Sequence, residues 1–282
     1  MDRREFIAGI AAALFTAPDA AEAQPAEKVY RIGYLSIGTA PGTPGSYTRP
    51  LDGFRKQLRE LGWVEGRNLA IEYRFADGRV DRLPGLAEEL VRLKVDIIVA
   101  LPTPSALAAK KATSTIPIVG TSLTEPVAVG LVPSLARPGG NLTGVSYAFG
   151  TEIFGKQLEL LRDVVPKVRR VGVIGDPGSS PAYPHMLDAV KSAGESLGLE
   201  LQIIEVREAS EFQGAFTALA KERAGALLVM GNPLFFLHRT RLADLAAKHR
   251  LPSMSTQEQW VDAGGLMSYG PNFVDISRRG AV

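Results

Sequence analysis

The apolar positions of this chain recur with two alternating periods. Ile32-Gly33-Tyr34-Leu35 is a short apolar run of strand type, and Phe54, Leu58 and Leu61 then fall at helical spacing up to Gly62. Leu69, Ile71, Tyr73 and Phe75 alternate as a half-buried strand does. Leu83, Leu86, Leu90 and Leu93 form a helix stripe. Ile97–Ala100 has the continuous apolar character of a fully buried strand; a short helix over Ser105–Thr113 and a strand at Ile116–Val119 follow. After the Pro- and Gly-rich stretch Arg137-Pro138-Gly139-Gly140-Asn141 the rhythm restarts. It predicts helices around Phe154–Val165, Leu187–Leu197, Phe212–Leu219 and Arg239–His249. Strands are predicted at Val171–Ile174, Leu201–Val206, Leu227–Met230, Leu251–Met254 and Leu266–Tyr269.

Strand and helix in strict alternation imply an α/β fold of parallel sheets with helices on both faces. Two such runs, parting near residues 137–150, imply two doubly wound lobes joined by a hinge: 28–145 and 146–268. In open parallel sheets ligands bind beyond the carboxyl ends of the strands, so the loops after each strand are where a site is expected.

Residues 1–23 read as an export signal. Arg3 and Arg4 precede the short apolar run Ile7–Ala17, and Ala21-Glu22-Ala23 has the small-x-small pattern of a cleavage site. The apolar run is too short to span a bilayer. The Arg3-Arg4 pair also fits a twin-arginine signal, so export through either route, to a periplasm, is the expectation. The chain has no cysteine, so no disulfide supports it and stability has to come from the core. A net charge of +2, with no long basic run, speaks against a nucleic-acid partner.

The loop after the first strand, Ser36 to Gly45, has its glycines at 38, 42 and 45. That spacing does not match a G-x-G-x-x-G fingerprint; the loop's length favours a binding loop, with Ser36 at its start, over a plain flexible connector. Thr103 and Ser105 stand where a helix begins and could cap it or help its N–H groups hold a carboxylate. Thr121 to Glu125 is rich in hydroxyls; Thr124 and Glu125 are candidates, the latter for an amine. Asp176 follows a strand and could pair with a cation or build an Asp-Pro-Gly turn. Asn232, Phe235 and Phe236 follow another strand; the two rings could stack on a ligand or pack beneath a helix. Tyr147 and Tyr269 fall near the hinge, where an aromatic can wall a cleft. The three histidines show no metal spacing and read as surface residues. Neither a nucleophile elbow nor a zinc-protease motif is present. No cofactor and no metal are expected.

Several stretches resemble one family. They are Phe54-Arg55 through Leu58, Leu61-Gly62-Trp63-Val64-Glu65-Gly66 and Asn68-Leu69, then Ile71-Glu72-Tyr73-Arg74 and Pro126 to Val132. Arg137-Pro138-Gly139-Gly140-Asn141-Leu142-Thr143-Gly144-Val145 and Gly264-Gly265-Leu266-Met267-Ser268-Tyr269-Gly270 follow. Together they resemble the substrate-binding proteins of ABC transporters related to the tryptophan/phenylalanine-binding type. The resemblance implies a type I periplasmic-binding-protein fold, a monomer closing on an aromatic amino acid or similar solute, and a permease and ATPase as partners. It also implies that 269–282 crosses the hinge and begins a helix returning to the first lobe, with a continuation beyond residue 282. The family often carries Asp where Glu125 stands and Asn where Asp176 stands. The expected site is then Ser36, Thr103, Ser105, Thr124, Glu125, Tyr147, Asp176, Asn232 and Tyr269. An exported α/β enzyme using a nucleotide-type cofactor is the alternative. A ligand-sensing regulator of the same fold is disfavoured by an export signal standing where a DNA-binding helix pair would be.

Overall fold

The computed structural model describes residues 28–282 except 44, 45, 47 and 148–150; the export signal read at residues 1–23 lies outside this set. The first half of the chain forms β1 (Tyr30–Ser36), α1 (Arg49–Glu60), β2 (Leu69–Phe75), α2 (Leu83–Arg92), β3 (Ile97–Leu101), α3 (Thr103–Ala112), β4 (Ile118–Thr124) and β5 (Leu142–Tyr147). The second forms α4 (Thr151–Val164), β6 (Arg170–Gly175), α5 (Tyr183–Ser196), β7 (Glu200–Glu205), α6 (Phe212–Lys221), β8 (Ala226–Val229), α7 (Pro233–Leu237), α8 (Arg239–Lys248), β9 (Ser253–Ser255), α9 (Gln259–Asp262), β10 (Met267–Ser268) and α10 (Phe273–Arg279).

The strands make two five-stranded sheets of the same order, β2-β1-β3-β4-β5 and β7-β6-β8-β9-β10. Every pairing is parallel. This is the two-lobed, doubly wound α/β architecture that the alternation implies. Alternate residues of β1 and β3 serve opposite faces. Leu35, Ile98 and Ala100 pack with Leu83, Ala87 and Leu90 of α2. Ile32, Tyr34 and Val99 pack with Leu51, Phe54 and Leu58 of α1. The second sheet repeats the plan, with Phe154, Leu158 and Val190 over Val171, Val173 and Leu228. On its other face Phe212, Phe216 and Leu242 lie over Ile174, Leu227 and Val229. Among the described residues no helix is long and apolar enough to cross a membrane.

Strand β4 runs on to Thr124, past the predicted end at Val119, and takes up the hydroxyl-rich segment. It carries one extra residue against β5 between Gly120 and Leu123, and Ser122 in that bulge has φ 57°. A bulge of this kind re-aims the side chains beyond it. β5 itself was not predicted, because Thr143, Gly144 and Ser146 break the apolar pattern on an edge strand exposed at those positions. Gly144 is required there: a Cβ on it would overlap the Gly120 carbonyl oxygen.

The chain passes from the first sheet to the second after Tyr147 and returns between β10 and α10. α10 packs on α1, where Val274 closes on Gly53 and the Arg278 guanidinium donates to Gln57 Oε1 at 3.0 Å. The Asn272 side chain caps this helix, accepting from Val274 N and Asp275 N. The two passages are tied together at both ends. The rings of Tyr147 and Phe273 meet edge to face at 5.6 Å, and the buried Gln157 donates from Nε2 to the Tyr269 carbonyl at 2.6 Å.

Candidate functional site

A cleft of about 220 Å³ opens where the carboxyl ends of the two sheets face each other. Ser36 to Pro41 follow β1, Gly78 follows β2, and Leu101 to Pro104 join β3 to α3. Ser122 and Thr124 close β4, and Tyr147 closes β5. From the other sheet come Ser179 and Ser180 after β6, Asn232, Pro233 and Phe236 after β8, and Thr256 and Gln257 after β9. This is the crevice position expected of open parallel sheets.

The lining is aromatic and neutral. Tyr34, Phe75, Tyr147, Phe236 and Phe273 supply rings, and Leu51, Leu101, Met186 and several prolines supply aliphatic surface. The polar groups are hydroxyls and amides. Among the described residues no Asp, Glu, Lys, Arg or His lines the cleft. Burial pushes the Tyr147 phenol up to about 12, against the opposing pull of a hydrogen bond with Thr124, so it stays protonated at physiological pH. Beside lining residues of the two lobes, Arg49, at the start of α1, reaches Glu258, just before α9, at 2.7 Å.

The structure brings five of the predicted residues to the cleft: Ser36, Thr103, Thr124, Tyr147 and Asn232. The Ser36 hydroxyl accepts from Gly38 N at 3.0 Å, which leaves its own proton to donate. Thr103 Oγ1 is committed twice to the backbone of Thr124, accepting from its N–H at 2.7 Å and donating to its carbonyl at 3.1 Å. Asn232 caps α7, its Oδ1 accepting from Phe235 N at 2.9 Å.

Four residues are elsewhere. Ser105 is fully buried and its hydroxyl donates back to Leu101 O, at the end of β3, at 2.8 Å. Asp176 Oδ1 accepts from Gly178 N at 2.8 Å, so the residue builds the Asp-Pro-Gly turn rather than facing a ligand. Glu125 sits on a left-handed backbone, φ 48°, outside the lining. Tyr269 is exposed and contributes its carbonyl to Gln157. The start of α3 also holds fewer free donors than its position implied, because Pro104 has no N–H and Ser105 N and Ala106 N both turn to Pro102 O.

Sequence reading missed Tyr34, Phe75, Met186, Thr256 and Phe273. Thr256 was within reach, since it follows a predicted strand; the others lie inside elements, where no turn chemistry marks them. The adjacent rings divide their roles. Phe235 packs on Phe212 at 6.0 Å, while Phe236 faces the cleft with the Arg239 guanidinium behind it. Only His185 is a surface histidine; His238 and His249 pack partly buried against Phe212 and Phe216. Among the described residues no group of three or more metal-ligating side chains is found.

Residues 44–281 match the family model described as ABC transporter substrate binding protein. The chain belongs to this family. It is a class of proteins that hold a solute rather than transform it, and the fold is that of type I periplasmic binding proteins. A tyrosine-binding protein of Clostridioides difficile is 30% identical over 221 residues, covering 78% of this chain; the chain spans 63% of that relative's length. A conserved domain protein of Vibrio cholerae is 27% identical with a TM-score of 0.80, over 90% of this chain and 83% of that one. An ABC domain from Streptococcus pneumoniae, solved in complex with L-Trp, superposes over the same shares at 22% identity and a TM-score of 0.80.

Proposed function

We propose that this family member is the exported receptor of an ABC importer, taking a small aromatic solute into the cleft and presenting it to a permease and its ATPase. The solute is an aromatic amino acid or a compound of similar size and shape. The observation that carries this reading is the ring of aromatic side chains around a neutral, partly enclosed cleft at the carboxyl ends of both sheets. The 30% identity to a tyrosine-binding protein supports it. Tyr147, Phe236 and Phe273 would flank the ring of the solute. Ser36, Thr124, Asn232 and the neighbouring Ser122 and Thr256 would meet its polar end, with Thr103 holding Thr124 in place. Contacts from both lobes exist together only when the cleft is closed, so binding would favour the closed form. The ligand would leave unchanged, and the export signal read in residues 1–23 supports a periplasmic location.

The test is a thermal-shift and calorimetric panel on the mature, exported protein with tryptophan, tyrosine, phenylalanine and their deaminated acids. A saturable rise in melting temperature with at least one aromatic compound is expected. No response to any ring compound, with a response to a nucleotide cofactor, would overturn the reading.

A further inference from the structure

Resting on that receptor reading, we propose that the ligand's polar head is a hydrogen-bond acceptor, carboxylate or carbonyl, and that the ligand carries no ammonium group. The cleft is an aromatic-acid site rather than an amino-acid site.

Leaving water costs a cation several kcal/mol unless it meets a carboxylate or a set of acceptors. Among the described residues no carboxylate lines the cleft. The loop residues at 44, 45, 47 and 148–150 include no acid in the sequence either. The two acids of the adjoining loops both stand outside the lining. Glu125 lies on its left-handed turn outside the lining. Asp176 accepts from Gly178 N, and the charged groups whose fields it feels, Arg207 and Glu211, are themselves outside the lining.

Among the described residues the polar groups that line the cleft include no anion, and the one whose sense is fixed is a donor. Asn232 is more than nine-tenths buried, and capping α7 commits its Oδ1. That bond fixes which way the amide faces and leaves Nδ2, a donor only, buried with no partner. Thr256 Oγ1, on the same wall, is also buried with no partner. Ser36 already accepts from Gly38 N and so has a proton to give. An ammonium brought against Asn232 Nδ2 would set donor against donor and would find only neutral hydroxyl oxygens, and no anion, on this wall. A carboxylate or carbonyl oxygen would instead satisfy groups that otherwise stay unpaired, each of which is costly to leave so. Neutral donors suffice to hold such an oxygen, as backbone N–H groups do for carboxylates elsewhere.

Matched sets on phenyl, 4-hydroxyphenyl and indolyl rings provide the test: the 3-arylpropanoate, its amide, the amino acid and the arylethylamine, measured by calorimetry on the mature protein. The propanoate or amide should bind at least about tenfold tighter than the amino acid on the same ring, and the amine should not bind. An amino acid that binds as tightly as its deaminated partner, or any binding amine, would overturn the proposal and leave the receptor reading standing. Failure of every ring compound would overturn both. A second measurement uses Asn232→Asp, which keeps the cap on α7 and replaces the donor by a carboxylate. It should lose about tenfold or more for the propanoate and move the preference toward the amino acid. An unchanged preference in a folded variant would overturn the role given to Asn232 and with it the proposal.

Discussion

The Thr103 hydroxyl stands 2.7 Å from the amide nitrogen of Thr124 and 3.1 Å from its carbonyl oxygen, closing both backbone groups of a residue at the mouth of the cleft. Both residues are almost wholly buried, so water cannot replace the hydroxyl. Thr103→Val, which keeps the shape, should cost about 2 kcal/mol by leaving two buried backbone groups unpaired. Thr103→Ser should cost less than half of that. Urea unfolding of the three proteins checks the order; a valine variant as stable as the parent would remove the role.

Gly144→Ala should be far more damaging. The added Cβ would collide with the Gly120 carbonyl, which belongs to the paired strand and cannot turn away. A loss of about 3 kcal/mol or more is expected, a fall in melting temperature on the order of 10 °C. Gly42→Ala, whose Cβ would meet nothing within 4 Å, bears only the strain of a positive φ and is the control.

The Arg49–Glu258 pair joins α1 of one lobe to the loop before α9 of the other. Both side chains are about 60% exposed, so their attraction is small and screened by salt. Arg49→Ala should weaken ligand affinity about two- to fivefold at low ionic strength and not at all near 1 M salt. The double variant Arg49→Glu with Glu258→Arg should recover the loss. Affinities that fall equally at both salt concentrations would show that the pair does not favour closure by charge.

Burial raises the Asp176 carboxyl above its ordinary value, against the opposing effects of the Gly178 N–H and Arg207. The folded protein therefore holds this proton more tightly than the unfolded chain does. The group's stabilising contribution is complete below the ordinary carboxylate pKa and is lost as the pH rises through the folded value. Asp176→Asn keeps the turn bond and should melt higher than the parent at pH 7, with the two converging near about pH 3. Melting curves that differ more at acid pH than at neutral pH would reverse the assignment.

Among the described residues no Asp, Glu, Lys, Arg or His lines the cleft, and the Tyr147 phenol is raised to about 12, so affinity for a ligand that does not itself titrate should be flat from about pH 6 to 9. Calorimetry with an arylpropanamide across that range is the measurement. A bell or a step in affinity would point to an ionisable contact outside this cleft lining.

Sequence pattern carried the architecture because burial on two faces of a parallel sheet leaves a strong apolar trace: Ile97–Leu101 and Ala226–Val229 are plain in it. β5 left no such trace, being an edge strand held by Gly144 and half exposed. The candidate site was legible where it coincides with strand ends, as at Ser36, Thr124, Tyr147 and Asn232. It was ambiguous where a side chain can serve its own backbone. Ser105 and Asp176 read in one dimension either as binding groups or as a cap and a turn, and the structure sets them against Leu101 O and Gly178 N. Tyr34 and Phe75 were hidden for the opposite reason: their rings serve a core and a cleft together, and the pattern shows only the first.

Tyr147 and Phe273 touch each other where the chain leaves the first lobe and where it comes back, and both face the cleft. If the lobes turn about these two passages, the pair lies on the axis of turning and has almost no lever arm. A solute resting on it would be felt about equally in the open and closed forms, and equal affinity shifts no equilibrium. Fit and closure would then be set at different radii: the axis would decide whether a ring fits, and the far walls would decide whether its presence closes the cleft.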